Sequence, residues 1–287
     1  MNTATAATPA TTQSPNLLSI AGSDPSGGAG IQADLKTFSA LGCYGMAVVT
    51  ALTAQNTQGV RATHLPPADF VGAQIDAIFE DVEVAAVKIG MLGSAETVGV
   101  VADRLARFRP AFVTLDPVLA ATSGDALAGE GVEAAIIERL FPLVSLVTPN
   151  LDEARRLAGV ARPLGRNAMR EAADRLMRLG ARAVLVKGGD AGGETSEDFF
   201  LDAETEEILS APRVNTRNTH GTGCTLSSAI AAFRARGEPM LEAIVAAKAY
   251  VTGALRGAGA LRVGREGGHG PMDHFFAARG EGRDANP

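Results

Sequence analysis

The most informative stretch of the chain reads Asn218-Thr219-His220-Gly221-Thr222-Gly223-Cys224-Thr225-Leu226-Ser227-Ser228, a glycine-rich turn that leads into an apolar helix. The first backbone N–H groups of a helix have no intrahelical acceptor, and the helix dipole favours negative charge at that end. The N–H groups from Gly221 to Cys224 are therefore predicted to bind a phosphate.

The same stretch places a cysteine in the first turn of the predicted helix. A helix N-terminus favours the thiolate, so Cys224 is predicted to take or share the proton of a substrate hydroxyl. The alternative is a small buried cysteine that only packs at the start of the helix, which is the commoner role of a free cysteine. The stretch alone leaves both interpretations open.

The composition indicates a globular protein with no large polyanionic partner. The 287 residues are 46% hydrophobic and carry a net charge of −6, so the chain can bury a large core. The negative charge and the lack of a long Lys/Arg run argue against nucleic acid or an anionic membrane as the main partner. Cys43 and Cys224 lie far apart without metal-ligating spacing, as expected of a reduced cytoplasmic protein.

Both ends of the chain differ from its middle. Residues 1–15 are rich in Ala, Thr, Pro, Ser and Gln and lack the basic and apolar regions of a signal peptide, so they are predicted to form a disordered arm. Residues 279–287 are predicted to form a disordered tail, which leaves 16–278 as a single domain. No apolar run approaches the ~20 residues of a membrane span.

Short apolar runs alternate with amphipathic ones along the middle of the chain. The predicted strands are Asn16–Ile20, Met46–Leu52, Ala85–Ile89, Ala111–Leu115, Val144–Thr148 and Ala183–Lys187, followed by an antiparallel edge hairpin of Asp198–Leu201 and Glu206–Leu209. The predicted helices are Gly30–Leu41, Pro67–Phe79, Ser94–Phe108, Gly131–Phe141, Asn167–Leu179, Gly223–Arg236 and Pro239–Leu255. This alternation predicts an α/β fold with a mostly parallel central sheet and helices on both faces, whose ligands bind at the carboxyl ends of the strands.

A second glycine-rich loop, from Gly22 to Gly30, follows the first strand. Within it, Gly28-Ala29-Gly30-Ile31-Gln32-Ala33 matches the dinucleotide fingerprint G-x-G-x-x-G/A, which is typical of nicotinamide-dependent oxidoreductases. That class needs an acidic residue about twenty positions further on to hold the ribose, and residues 48–54 contain none. The loop is therefore interpreted as a close backbone approach to another kind of ligand.

Candidate ring-binding residues lie near the first strands. Gln55 can offer paired donor and acceptor atoms to a planar heterocycle, and Met91 can cover the face of the ring. Asp34, early in the first helix, can accept from a ligand hydroxyl or amino group. The alternatives are an exposed loop amide for Gln55, a core position for Met91 and a favourable helix-end charge for Asp34.

Candidate phosphate and metal ligands follow the later strands. Asp116, Asn150 and Glu153 are oxygen ligands of the kind that hold Mg²⁺ and its waters beside phosphates. Asn150 and Glu153 also fit a helix capping box, which would explain both residues by itself. Lys187 precedes Gly188-Gly189, so its ammonium either faces nucleotide phosphate or reaches solvent.

Together these motifs resemble one enzyme family. They are Gly22-Ser23-Asp24-Pro25-Ser26-Gly27-Gly28-Ala29-Gly30-Ile31-Gln32-Ala33-Asp34-Leu35-Lys36-Thr37, Thr50-Ala51-Leu52-Thr53-Ala54-Gln55-Asn56-Thr57, Lys88-Ile89-Gly90-Met91-Leu92, Thr148-Pro149-Asn150, Lys187-Gly188-Gly189 and Asn218–Thr225. In this order, from about Asn16 to Phe276, they are similar to the hydroxymethylpyrimidine/phosphomethylpyrimidine kinases of thiamine biosynthesis. The resemblance implies a ribokinase-like fold, a homodimer, ATP and Mg²⁺. It also implies phosphorylation of 4-amino-5-hydroxymethyl-2-methylpyrimidine and then of its monophosphate.

The resemblance implies roles for individual residues as well. The pyrimidine would be bound by Gln55, Asp34, Met91 and the backbone of Gly22. The anion hole would be formed by Gly221, Thr222 and Gly223, with Cys224 in place of the aspartate base that most of the superfamily carries. The nucleotide would be bound by Lys187, Asn150 and Thr219, and the metal by Glu153 and Asp116.

One position departs from the family pattern, and two other functions stay open. Several relatives carry a lysine where this chain has Thr122. This chain therefore lacks a cation that could neutralise a phosphate during the second phosphorylation. The first alternative is a pyridoxine or pyridoxal kinase of the same fold. The second is a catalytically silent protein that senses the pyrimidine, but a sensor would have no use for the anion-hole glycines and Lys187.

Overall fold

The computed structural model of the protein describes residues 13–121, 124–125, 127–162 and 164–281. Residues 1–12 of the predicted arm and 282–287 of the predicted tail lie outside the described residues, as does Thr122. Residues 279–281, which are assigned to the tail in the sequence analysis, belong to the last helix.

Within this part of the chain, nine strands form one sheet. They are β1 (Asn16–Ser23), β2 (Tyr44–Asn56), β3 (Gly59–His64), β4 (Ala86–Ile89), β5 (Val113–Leu115), β6 (Leu146–Val147), β7 (Val184–Lys187), β8 (Thr195–Leu201) and β9 (Glu206–Pro212). Their spatial order is β3-β2-β1-β4-β5-β6-β7-β8-β9. The strands from β2 to β7 in that order are parallel, and the two edges, β3 and the β8–β9 hairpin, are antiparallel. The predicted mostly parallel sheet with a late hairpin is confirmed.

The described residues also form nine α-helices. They are α1 (Gly30–Ala40), α2 (Ala68–Phe79), α3 (Ala95–Phe108), α4 (Val132–Ala135), α5 (Leu151–Ala158), α6 (Arg166–Arg178), α7 (Thr222–Ala235), α8 (Met240–Gly257) and α9 (Phe276–Glu281). Helix α4 continues as a π-helical segment, Ile136–Leu140, and short 3₁₀ segments lie at Gly189–Ala191 and Ala258–Ala260. In the part of the chain that the structure covers, no helix is both long and apolar enough to span a membrane.

The helices cover both faces of the sheet because successive strand residues point to opposite sides. Leu17 of β1 packs in one core with Phe38 of α1 and Ile244 of α8. Its neighbour Leu18 packs in the other core with Val71 of α2. Since the central strands are buried on both faces, they read as nearly continuous apolar runs in the sequence.

Three differences between the structure and the predicted elements stand out. β3 is absent from the prediction because it is an edge strand with mostly exposed residues and therefore no apolar alternation. Helix α5 is predicted only through its capping box, since eight residues are too short for a clear period. β2 runs to Asn56 instead of Leu52, which puts Gln55 within a strand rather than in the loop after it.

Candidate active site

One cavity of about 570 Å³ lies at the carboxyl ends of the parallel strands. Its lining includes Gly22, Gln55, Met91, Asp116, Asn150, Glu153, Lys187, Thr219, Gly221, Thr222, Gly223 and Cys224. These are the site residues predicted from the sequence, except Asp34. Residues that are more than 200 positions apart in the chain meet here because parallel strands deliver their loops to the same edge of the sheet.

The turn before α7 is built for close backbone contact. Gly221 has a φ of 82°, and a Cβ at this position would overlap the carbonyl oxygen of Gly28, so only glycine fits. The Thr222 side chain donates to the carbonyl of Thr219 over 2.6 Å. The N–H of Thr225 makes the first bond of the helical pattern, 2.9 Å to the carbonyl of Gly221. The N–H groups before it belong to the first turn of the helix. At this position they can donate to an anion at the cavity wall.

Cys224 follows this turn and lines the cavity. Burial raises the pKa of its thiol to about 11; the charge of Lys88 and the N–H of Gly30 act in the opposite direction without restoring the usual value. The pKa of this thiol thus moves in the opposite direction to the one predicted from its place at a helix N-terminus. Loss of solvation is the largest cause.

The candidate metal ligands lie next to a lysine. Lys187 Nζ lies 2.5 Å from Asp116 Oδ1, and both side chains are almost fully buried. Burial raises the pKa of Glu153 to about 7, and the charge of Asp116 adds to the increase, while Lys187 opposes it. Two carboxylates and one ammonium are a suitable environment for a hydrated cation bound to phosphates. Among the described residues, no group of three or more His, Cys, Asp or Glu side chains is placed to hold a metal ion.

Asn150 and Glu153 also form the capping box of α5. Asn150 Oδ1 accepts from the N–H groups of Asp152 and Glu153 at 3.0 and 2.9 Å, and Glu153 Oε2 accepts from the N–H of Asn150 at 2.8 Å. The predicted capping box is therefore confirmed. Because both residues also line the cavity, the structural role does not exclude the predicted ligand roles.

The part of the cavity beside β2 and the end of β4 can take a flat ring. A Cβ on Gly22 would come within 3.1 Å of Met91 Sδ, so glycine leaves the backbone and the thioether close together. The hydroxyl of Thr50 donates to the carbonyl of Met91 over 2.5 Å and holds this residue in place. Gln55 is partly buried, with Oε1 3.3 Å from the hydroxyl of Thr53.

His220 is a site residue to which the sequence analysis assigns no role. Its Nε2 lies 2.7 Å from Asp24 Oδ2 and 3.4 Å from Gln55 Nε2, and all three residues line the cavity. Burial alone would raise the pKa of Asp24, but hydrogen bonds from His220 and Ser26 outweigh it and lower the pKa to about 2. Asp24 is thus ionised, and His220 donates to it from Nε2. His220 stands in the predicted phosphate-binding stretch, so its place in the sequence was the available signal.

Asp34 is the predicted site residue that the structure does not bring to the cavity. Its side chain is fully buried, and its oxygens accept from Ser19, Lys88 and Ser228 at 2.6, 2.9 and 2.7 Å. The resemblance implies a place in the ring pocket, but Asp34 lies behind the cavity wall. The difference arises because its partners on β1, β4 and α7 occupy both carboxylate oxygens.

A second group of residues absent from the sequence analysis lies beyond Lys187. Asp198 accepts from the N–H of Gly188 at 2.9 Å and pairs with Lys248 at 2.6 Å. Arg213 donates to four backbone carbonyls of the segment from Gly189 to Thr195. These contacts fix the loop after β7, next to the end of the cavity that Lys187 lines.

The geometry agrees with comparisons to known proteins. The phosphomethylpyrimidine kinase family model matches residues 24–273. A hydroxymethylpyrimidine/phosphomethylpyrimidine kinase of Rhizobium meliloti is 54% identical over 258 residues, which cover 90% of this chain and 96% of that protein.

Solved structures extend the comparison to the fold. An ADP complex of Bacillus subtilis pyridoxal kinase has a TM-score of 0.84 at 34% identity and covers 93% of this chain and 100% of that one. A phosphomethylpyrimidine kinase of Clostridium difficile has a TM-score of 0.74 at 39% identity and covers 84% of this chain and 99% of that one. The ribokinase-like fold and the kinase class predicted from the sequence are confirmed. The chain belongs to the phosphomethylpyrimidine kinase family.

Proposed function

We propose that this protein transfers a phosphoryl group from ATP to the hydroxyl of 4-amino-5-hydroxymethyl-2-methylpyrimidine, and then phosphorylates the monophosphate to the diphosphate used for thiamine. The observation that carries the proposal is one cavity whose lining brings together Gln55 and Met91, the glycine turn before α7, and Lys187. The names of the relatives in this family support the same substrates.

The ring end would position the substrate. We assign the aminopyrimidine to Gln55, whose amide has both a donor and an acceptor, and the ring face to Met91. The backbone of Gly22 would line the same pocket. A ring held by Gln55 would point its hydroxymethyl group along the cavity towards the turn at Gly221, where the phosphoryl group is received.

The other end would bind the nucleotide. Lys187, Asn150 and Thr219 line the cavity and would contact the nucleotide, and the N–H groups of the first turn of α7 would stabilise the charge on the phosphoryl group in transfer. Asp116 and Glu153 would hold Mg²⁺. Bound there, the metal would neutralise phosphate charge and orient the phosphates. Asp198 and Arg213 would act indirectly, by fixing the loop beside Lys187.

Cys224 would receive the proton of the substrate hydroxyl. With a thiol pKa of about 11, only a small fraction is ionised at neutral pH. That fraction can suffice because phosphoryl transfer passes through a loose transition state in which the attacking hydroxyl needs little prior activation. The rate should therefore follow the thiolate fraction.

A direct assay tests the function. Purified protein is incubated with ATP and Mg²⁺ and with either the hydroxymethylpyrimidine or pyridoxal, and phosphorylated products are measured. We expect both the monophosphate and the diphosphate of the pyrimidine. Preferred turnover of pyridoxal would favour the alternative that the likeness to B. subtilis pyridoxal kinase raises, and ATP hydrolysis with neither product would contradict both.

We also propose that the protein is a cytoplasmic homodimer, which is the assembly that the sequence resemblance implies. The two cysteines, Cys43 and Cys224, are free, in keeping with a reducing compartment. Sedimentation of the purified protein tests the assembly, since a single species at the 29.4 kDa mass of one chain would contradict it.

A further inference from the structure

A buried ion pair lies behind the wall of the cavity and has no part in the proposed reaction. Lys88 Nζ is 2.9 Å from Asp34 Oδ2, and neither side chain is exposed. The hydroxyls of Ser19 and Ser228 also donate to Asp34, and both are fully buried. Because a buried pair costs much desolvation energy and often adds little stability, its presence calls for another explanation.

The pair lies one helical turn below Cys224. Ser228 follows Cys224 by four positions on α7, and Asp34 follows Gly30 by four positions on α1, so each pair shares a helix face. The bond of 2.7 Å from the hydroxyl of Ser228 to Asp34 joins the two helices. The ion pair is therefore fixed to α7 one helical turn from the reacting thiol.

Charged groups face Cys224 from four elements. They are Lys88 on β4, Asp34 on α1, Asp116 after β5 and Lys187 at the end of β7. The two lysines favour the thiolate and the two aspartates oppose it. After burial, Lys88 has the largest effect on the pKa of the thiol, and Asp34 has the next largest, in the opposite direction.

We propose that Lys88 and Asp34 are positioning residues for Cys224. Asp34 holds α1 and α7 together below the thiol, and the fixed ammonium of Lys88 stabilises the thiolate from behind the cavity wall. The proposal deepens the function proposed above, in which Cys224 receives the hydroxyl proton. It predicts opposite effects for the two members of the pair, since one favours the negative sulfur and the other opposes it.

The test is the rate at which iodoacetamide alkylates the thiol between pH 7 and 10, without ATP or pyrimidine. A Cys43→Ala background leaves Cys224 as the single cysteine of the sequence. We expect Asp34→Asn to increase the rate at pH 8 by about tenfold, which corresponds to a fall of one unit in the pKa, and Lys88→Met to decrease it. The double variant removes one charge of each sign, so its alkylation rate should return towards that of the parent.

Thr114→Val is the matched control. Thr114 is paired with Lys88 in the register of β4 and β5, and its buried hydroxyl has no hydrogen-bond partner among the described residues. This change removes a polar atom from the same layer without changing the charge, so alkylation should not change. In the kinase assay, Lys88→Met should lower kcat and leave the KM for the pyrimidine nearly unchanged.

Two results would overturn the proposal. One is an unchanged alkylation profile for Asp34→Asn, and the other is a shift of both single variants in the same direction, as a purely structural pair would produce. If Lys88→Met does not fold, Asp34→Asn and the double variant decide. Alkylation needs no substrate, so the result is independent of whether the pyrimidine is the true substrate.

Discussion

At the scale of single residues, the proposed function assigns recognition of the ring and proton transfer to different side chains. Gln55 and Cys224 both line the cavity, and His220 lies 3.4 Å from Gln55 and directly precedes the turn that leads to Cys224. Changes at Gln55 and Cys224 should therefore affect different kinetic parameters.

Gln55→Leu should weaken pyrimidine binding by about 1–3 kcal/mol, because the ring loses a buried hydrogen-bonding partner. ATP affinity should hardly change, since Gln55 lies on β2 and Lys187 on β7, with four strands between them in the sheet. Calorimetric titration with each ligand measures both. The control is Gln58→Leu in the exposed turn after β2, which should change neither. An equal loss for both ligands would place Gln55 outside the ring pocket.

Cys224→Ala should lower kcat by roughly 10²–10⁴-fold, the usual loss when a general base is removed, with substrate binding retained. In the parent, kcat should rise with pH above neutrality, because the thiol pKa of about 11 makes the thiolate fraction increase with pH. Cys224→Asp should recover part of the rate and remove this rise, since a carboxylate is already ionised. Cys43→Ala is the control. A near-parental kcat in Cys224→Ala would falsify the base assignment.

At the scale of elements, function depends on how helices begin. Helix α7 begins with a glycine that no other residue can replace, and α5 begins with a capping box whose glutamate also lines the cavity. Both starts lie at the carboxyl edge of the sheet, so the same backbone features end a loop and line the cavity proposed to bind the ligand.

Gly221→Ala should abolish most activity and destabilise the fold. An alanine there would need a left-handed φ and would overlap the carbonyl of Gly28. Gly237, just after the end of α7, is the matched control: its φ is 96°, but a Cβ would meet nothing within 4 Å. Gly237→Ala should therefore cost only about 1–2 kcal/mol in urea unfolding and leave kcat unchanged. Equal effects of the two changes would contradict the close approach at Gly221.

Glu153→Gln should raise the Mg²⁺ concentration needed for half-maximal activity, because an amide is a poorer ligand than a carboxylate. Glutamine can still complete the capping box, so α5 should keep its stability. The measurement is a Mg²⁺ titration of activity beside a thermal unfolding curve. An unchanged titration would leave Glu153 with its capping role alone.

At the scale of the whole molecule, a buried histidine makes stability depend on pH. Burial lowers the pKa of His274 to about 4, and Lys36 adds to the decrease. Its Nε2 lies 3.1 Å from the hydroxyl of Thr225 in α7, so the C-terminal segment is joined to the helix of the site.

The unfolded chain binds a proton at His274 below about pH 6.5, whereas the folded chain does so only near pH 4. Stability should therefore fall as the pH decreases through this window, by up to about 3 kcal/mol. Urea unfolding at pH 7 and pH 4.5 measures the loss. His274→Gln should reduce the loss, while His64→Gln on the exposed β3 should not. The same pH dependence in His274→Gln and the parent would assign the loss to other groups.

Local patterns in the sequence were sufficient for the architecture and for most of the cavity lining. The alternation of apolar runs predicts a parallel sheet, and a parallel sheet brings the loops after β1, β4, β5 and β7 to one edge. Glycines with turn chemistry and a capping box act within a few residues. Gly221, Asn150 and Glu153 could therefore be recognised without knowing what lies around them.

Only the tertiary structure decided how the polar side chains are paired. Asp24 and His220 are 196 positions apart in the chain, and Asp34 and Lys88 are 54 apart. No local pattern determines such pairs, because they depend on which helices pack over the sheet. The tertiary structure also decided which side chains are buried. Asp34 lies behind the cavity wall, and burial raises the pKa of Cys224. Desolvation depends on all surrounding atoms and not on neighbours in sequence.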